Sequence, residues 1–517
     1  MSQTRTPEPP VGPAGAYDAG AAPVPRLPAV DAPPSGFLWP EDRPEGPLPP
    51  PAAPVRSWQD WFVIAFAVTG VLLSAWIYLA PVPAGLTPQG KAACSVFVLC
   101  TTLWVTNVIP FGITGLFALA LLGLAGAMTP SEAFAAAGNA AVFFILGVFI
   151  IAAALVKTGL SKRWALLFLI RFERSPYVFA TGMMLTSALA TVFMPAQATV
   201  AMLFPIAFEV AQAMRLRKGD STYGKVLFLA LAWGAMVGSN ASFLGSTRAA
   251  LALGMLHDAH GITVTFTQWF IASLPLVLLG ILMIPLIIRV SFRKEQVDFR
   301  GARAVLEGAV QELGPIRWPQ TKVALLMLGT VLAWIFLAGM VDLAIIALLA
   351  ASAMFFSGAL TWDDLDGRIY WNVILMYCGA IALGVALDRT GAAEWVVTSA
   401  LGDLDIPPLL AVAGLAIATL FVSEFMSNAA AVAVMLPLGF TIGEQIGIPP
   451  TAIMLATTFG AGLDFALPIS SAPNTIAFAS GYLKMTDFLR AGALMTLASI
   501  ISMILVAMLW WPLIGIL

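Results

Sequence analysis

SEFMSNAAAVAVMLPL, from Ser423 to Leu438, places an acid, a Ser-Asn pair and a proline inside a stretch otherwise apolar enough to lie within a bilayer. An unsatisfied polar group at that depth costs on the order of several kcal/mol, so these residues need partners or a task. The stretch has an echo. FMPAQATVAMLFPI from Phe193 runs parallel to FMSNAAAVAVMLPL from Phe425, and 425 − 193, 427 − 195 and 437 − 205 are all 232. KTG at Lys157 and RTG at Arg389 repeat the interval, 389 − 157 = 232. Two pairs in one register indicate an internal duplication. Duplicated halves carrying polar, broken membrane segments in corresponding places mark secondary transporters.

Composition sets the class. Of 517 residues, 60% are hydrophobic and 10% charged, against about a quarter charged in soluble domains. The chain reads as a polytopic membrane protein. A net charge of −2, without a basic stripe or zinc-finger spacing, argues against nucleic acid as a partner. Cys94, Cys100 and Cys378 are odd in number and lie in apolar runs, which suits packing better than a disulfide or metal framework.

Residues 1–57 are rich in Pro, Ala and Gly, a composition that buries too little surface to fold, and are read as a disordered cytoplasmic tail. They lack the basic start and apolar run of a cleaved signal peptide. From Trp58 onward, runs of the roughly 20 residues needed to span a bilayer fall at 58–81, 89–108, 111–128, 140–158, 226–256, 267–290, 320–339, 341–358, 370–388, 452–481 and 488–512. Two further stretches, 177–214 and 405–444, carry the repeated motifs and break at Met194–Thr199 and Glu424–Asn428. Each fits a re-entrant hairpin, with two ordinary spans and a tight turn as the alternative. The expectation is an all-α membrane protein, an inverted repeat of about eleven transmembrane helices plus two re-entrant hairpins. Its first repeat covers 58–292, a cytoplasmic linker 293–319 and its second repeat 320–517.

Charge orients it. Lys162, Arg163, Arg171 and Arg174 precede the first hairpin, Arg215, Arg217, Lys218 and Lys225 follow it, and Arg289 to Arg317 surround the linker. Cytoplasmic loops collect Lys and Arg, so the N-terminus is expected inside, the first hairpin opening inward, the second outward and Leu517 outside.

Other motifs are decoys. GLTPQGK at Gly85–Lys91 approaches a phosphate-binding loop, but Ala92 stands where the metal-binding hydroxyl belongs. His257 and His260, the only histidines, flank Asp258 in an outer loop and form no HExxH pattern. An intramembrane enzyme would need a nucleophile with a base at depth, and none is visible. A passive channel would not need paired hairpins.

After each hairpin comes a second interrupted segment, MVGSNASFLGSTRAA from Met236 and GLDFALPISSAPNT from Gly462. A broken helix frees carbonyls for a cation at one end and N–H groups for an anion at the other. Kinked helices packed on one another are the bland alternative, weakened by four such features arriving in matched pairs.

These motifs resemble the divalent anion/sodium symporter family. SEFMSNAAAVAVMLPL is similar to its Ser-Asn-Thr hairpin tip and LPISSAPNTIAFASG to its Pro-Asn break, with further cues in FFILGVFIIAAALVKTGL, TFTQWFIASLPLVLL and MTDFLRAGALM. The resemblance implies a carrier of small dianions such as succinate, citrate or sulfate. It also implies sodium coupling with no organic cofactor, a rigid transport domain sliding past a scaffold, a homodimer in the lipid bilayer, and an inner (plasma) membrane location. It places cation and substrate contacts at Ser427, Asn428, Ser471, Pro473 and Asn474. With both halves read together the expected substrate set is Gln197, Thr247, Arg248, Asn428, Ser471, Pro473, Asn474 and Thr475, with Ser427, Asn428 and Ser471 as sodium ligands.

The first half departs from that pattern. Pro195, Ala196 and Gln197 replace the tip, Ser246 to Ala249 replace the Pro-Asn break, and Ala429 replaces the second tip's threonine. A sodium-independent exchanger or uniporter is therefore the alternative. Arg248 is the most informative departure, because a guanidinium at depth costs roughly 2.5–3.5 kcal/mol on insertion scales. It can stand in for one sodium ion at the substrate, pair with Asp464, or snorkel to an interface.

Overall fold

The computed structural model describes residues 58–402 and 406–517, so the tail expected at 1–57 lies outside the described residues. The described residues are helical, without a strand. In the first half α1 (Trp58–Leu79), α2 (Pro88–Thr106), α3 (Phe111–Leu124), α4 (Pro130–Ala136), α5 (Ala140–Lys157) and α6 (Leu160–Leu169) lead to a hairpin of α7 (Pro176–Ala190) and α8 (Ala196–Ala213). Then follow α9 (Thr222–Gly238), α10 (Thr247–His260) and α11 (Phe266–Ser291). After α12 (Arg300–Glu312), the second half repeats the order as α13 (Trp318–Phe336), α14 (Leu343–Phe356), α15 (Trp371–Arg389) and α16 (Ala392–Leu401). Its hairpin is α17 (Pro408–Ser423) and α18 (Asn428–Ile446), followed by α19 (Pro450–Gly460) and α20 (Ala472–Ala479). The last helix, α21 (Met485–Leu509), contains a π-helical turn at Phe488–Gly492.

The duplication has a local physical cause at each landmark. α5 and α15 both end on a threonine whose hydroxyl donates back to a carbonyl, Thr158 to Ala154 and Thr390 to Ala386, each at 2.7 Å. The chain then turns through Gly159 (φ +71°) and Gly391 (φ +69°), a left-handed conformation that a side chain resists. That turn is why KTG and RTG recur. Capping boxes recur as well, Thr129 with Glu132 and Thr361 with Asp364, and 364 − 132 = 232. Each half's cation pairs with the other half's capping acid: Lys157 with Asp364, and Arg389 with Glu132 at 3.5 Å. Such an exchange is what a pseudo-two-fold axis between inverted repeats produces.

α1–α5 and α13–α16 pack as one group, while α7–α11 and α17–α21 form another around the two hairpins. Within the first group α3 crosses α15 backbone to backbone: a Cβ on Gly115 would lie 2.3 Å from the carbonyl oxygen of Leu375. In lipid, where apolar side chains gain little by leaving their surroundings, such close approach is a main source of helix association.

The expected spans at 226–256 and 452–481 each divide, into α9 and α10 and into α19 and α20. The hairpin turns are shorter than expected: Ala196–Thr199 and Asn428 already lie within helices, because Pro195 and Ser427 serve as N-caps. Among the described residues seven helices are long and apolar enough to cross a membrane, and six apolar helices are shorter. The linker at 293–319 holds an amphipathic helix, α12, which buries Ala302 and Leu306 against α6 and α8.

Candidate functional site

The four interrupted segments meet. A cavity of about 200 Å³ is lined by Pro195–Gln197, Ser246–Arg248, Ser427–Ala429 and Ser470–Pro473, with Asn372 and Met376 of α15 closing one side. These are the starts of α8, α10, α18 and α20. Four helices therefore point their N-termini at one volume, two from each repeat, and each brings partial positive charge and unpaired N–H groups. The backbone N–H groups of Thr247, Arg248, Asn428 and Ala429 form no hydrogen bond to another described residue. Arg248 is the one charged residue among the described lining residues.

The first hairpin tip is strapped to the break in its own half. Ser242 Oγ donates to the Val192 carbonyl at 2.6 Å, and the Ala196 N–H donates to the Gly245 carbonyl at 3.2 Å. Gly245 is pressed so close that a Cβ there would lie 2.0 Å from the backbone oxygen of Thr191. Gly245→Ala is thus expected to lower stability by about 1–3 kcal/mol through overpacking. Gly308→Ala, on α12 with nothing within 4 Å of its Cβ position, should not. Thermal unfolding of the two purified variants checks this.

Arg248 is 7% exposed. Its Nε donates to the Thr458 carbonyl at 2.9 Å and its Nη2 to Asn240 Oδ1 at 2.7 Å, while Nη1 has no partner among the described residues. The side chain lies flat on Gly462, where a Cβ would stand 1.9 Å from Nη2. The pairing of Arg248 with Asp464 is not formed: no nitrogen of one comes within 4 Å of a carboxylate oxygen of the other. Asp464 instead receives the amide of Asn428, Nδ2 to Oδ1 at 3.0 Å. Nor does Arg248 snorkel, being fixed at both of those contacts.

In the second half Glu424, the acid of the opening stretch, is used in full. Its two oxygens accept the Ala466 and Leu467 N–H groups at 2.9 and 3.0 Å, fastening the hairpin tip to the break. Ser470 Oγ donates to the carbonyls of Asp464 and Leu467, both at 2.8 Å. Asn474 directs its amide nitrogen to the same two carbonyls at 3.3 Å each. That geometry orients its Oδ1 away from them. Asp464 and Asn474 are fully buried, and Asp464 Oδ2 and Asn474 Oδ1 have no partner. Two unpaired oxygens, one of them on a carboxylate, suit a hard monovalent cation.

Gln197, Thr247, Arg248, Asn428, Ser471 and Pro473 thus share the cavity with the expected sodium ligand Ser427, whose hydroxyl also caps α18. Asn474 and Thr475 do not line it. Asn474 sits behind its wall, and Thr475 donates to the carbonyls of Pro468 and Ser471. Sequence reasoning did not assign Asn240, Glu424, Asp464 or Ser470 to the site, although Ser239-Asn240 in the first break does echo a tip motif. A larger cavity of about 590 Å³ lies near His257 and His260, but Glu132, Asp258, Asp388 and Glu444 face Arg389 there. That balance repels anions.

A sequence model of the sodium:sulfate symporter transmembrane region matches residues 57–517. The sodium-dependent dicarboxylate transporter SdcS of Staphylococcus saprophyticus is 25% identical over 466 residues, covering 85% of this chain and 89% of the relative. SdcS of Staphylococcus aureus is 25% identical over 476 residues, covering 86% and 91%. Neisseria gonorrhoeae MtrF, described as representing a class of antimetabolite efflux pumps, shares the fold at a TM-score of 0.53 and 15% identity, over 88% of this chain and 96% of that one.

Proposed function

The chain belongs to the sodium:sulfate symporter family, and from that premise we propose that it is a sodium-coupled carrier of small dianions, dicarboxylates foremost. The observation that carries this reading is the cavity itself, with four helix N-termini and one partly unpaired arginine around a volume suited to a few-carbon anion. Relatives named as sodium-dependent dicarboxylate transporters support the substrate class. One carboxylate of the substrate meets Arg248 Nη1 and the first turn of α10. The other meets the N–H groups of Asn428 and Ala429 at the second tip. Asn428 spends one amide hydrogen on Asp464 and keeps the second for substrate. Sodium is a co-substrate, held by Asp464 Oδ2 and Asn474 Oδ1 with Ser427 and carbonyls near Ser471. Its charge offsets Asp464, which would otherwise repel the incoming anion.

Movement follows the packing. The hairpin-bearing group slides as an elevator past the group of α1–α5 and α13–α16, which also forms the interface of a homodimer. Thermal stabilisation of purified protein tests the substrate class, with succinate, citrate and sulfate compared at equal concentration in sodium and in choline buffers. Stabilisation by succinate that requires sodium supports the reading, and stabilisation by none of the three counts against it.

A second reading is favoured by the first tip, where Pro195 to Gln197 offer no hydroxyl ligand. Here Arg248 replaces one coupled cation, and the carrier exchanges anions without sodium. Counterflow in sodium-free vesicles separates the two. In either case the N-terminus and the loop around Arg293–Arg317 face the cytoplasm of an inner membrane. Single cysteines at positions 300 and 517 report this: the second is expected to react with an impermeant reagent from outside and the first not. The reverse pattern would invert the topology.

A further inference from the structure

Away from the central cavity, α7, α9 and α11 enclose a groove of about 470 Å³ that shares no lining residue with it. Its walls are apolar: Ala180 and Met184 from α7, Ala230 from α9, and Ile284 and Ile288 from α11. Two features hollow it. Small side chains at Ala180 and Ala230 leave space on one wall. On the other, Pro285 inside α11 removes a backbone N–H, a change that kinks helices. From Tyr177 to Met184 the groove follows α7 for seven residue steps, or ~10 Å at 1.5 Å per residue, most of one leaflet's share of a ~30 Å hydrocarbon core.

The mouth of the groove is different in kind. Arg289, Arg293 and Lys294 ring it, all exposed, and none has a carboxylate within 4 Å. Lys225, on the same group, is by contrast paired with Asp487 at 2.9 Å. The nearest acid in sequence, Glu295, turns its Oε2 to Ser221 Oγ and the Tyr223 N–H at 2.9 and 2.7 Å, where it secures the start of α9. Lys294 Nζ stands 5.7 Å from the centre of the Tyr177 ring. Tyr177 is itself held by the Glu295 N–H at 2.8 Å. The three cations therefore sit on an ordered floor with their charge uncompensated, at the end of a crossing helix.

We propose that this groove binds one anionic glycerophospholipid, its phosphate between Arg289, Arg293 and Lys294 and an acyl chain along α11 beneath Pro285. Charge complementarity selects the headgroup, since a guanidinium fork matches phosphate oxygens and basic pockets between membrane helices take such headgroups. The apolar wall selects a lipid over a free phosphate, which would leave that wall uncovered. The bound lipid joins the helix carrying the first hairpin arm to α11, and so travels with the group that holds the substrate.

Native mass spectrometry of the full-length protein tests this, with phosphatidylglycerol and phosphatidylcholine of identical chains as probes. The expected result is one phosphatidylglycerol retained at least about tenfold over phosphatidylcholine. The preference should disappear in the combined Arg289→Gln, Arg293→Gln and Lys294→Gln variant. Ala180→Leu, which fills the groove and keeps every charge, should lose the lipid while remaining monodisperse. Equal retention of the two lipids by the unaltered protein would overturn the proposal. So would unchanged retention in both variants, or displacement of the lipid by glycerol phosphate at matched concentration, which would indicate a site for a free phosphate.

Discussion

Arg248→Ala is expected to weaken dianion binding about ten- to hundredfold, the equivalent of one charge-assisted hydrogen bond of about 1.5–3 kcal/mol. Arg248 is buried, its Nε and Nη2 are committed to Thr458 and Asn240, and Nη1 is left without a partner among the described residues in a residue that lines the cavity. Removing the side chain also strands Asn240 Oδ1 and the Thr458 carbonyl, so a loss of stability accompanies the loss of affinity. Arg248→Lys separates the two effects. It keeps the charge and loses the fork, so it should retain part of the affinity while losing selectivity among dianions. If Arg248 also stands in for a cation, high sodium should partly restore binding to Arg248→Ala. Unchanged affinity and unchanged sodium dependence in both variants would remove the arginine from the site.

The second large effect is expected at Asp464. Asp464→Asn keeps the shape and can still accept from Asn428, but it removes a negative charge and leaves a neutral amide where Oδ2 had no partner. Sodium should then bind at least tenfold more weakly. Anion binding should depend less on sodium, because the repulsion that sodium relieves is gone. The steepness of transport against sodium concentration should fall by one ion. A structural role alone would lower the unfolding temperature and leave that steepness unaltered. Unchanged sodium dependence in a stable Asp464→Asn protein would place the coupling ion elsewhere.

The repeat was legible because its landmarks are under local constraint. The left-handed turns at Gly159 and Gly391 and the prolines at 205 and 437 recur at one interval, because mirrored helices end and bend at mirrored places. The hairpin tips were legible because Pro195 and Ser427-Asn428 interrupt otherwise apolar runs. Helices α6, α12 and α16 were not anticipated, being too short or too polar to register as spans. Nor was the partner of Arg248. Which acid or carbonyl a side chain meets depends on how α10 is rotated after the break. That rotation carries the guanidinium over Gly462 to Thr458, past Asp464 on the opposite break. Nothing in GLDFALP indicates that Asn428 and Asn474 converge on Asp464, so the sequence marks it only as a candidate partner of Arg248.

Whether a cavity built from both repeats carries a dianion with sodium is decided by uptake of labelled succinate into liposomes containing the purified protein. An inward sodium gradient should drive accumulation above the external concentration, abolished when choline replaces sodium and strongly reduced in Arg248→Ala. Uptake that merely equilibrates, with the same rate in sodium and choline, would show that the protein does not couple the two fluxes.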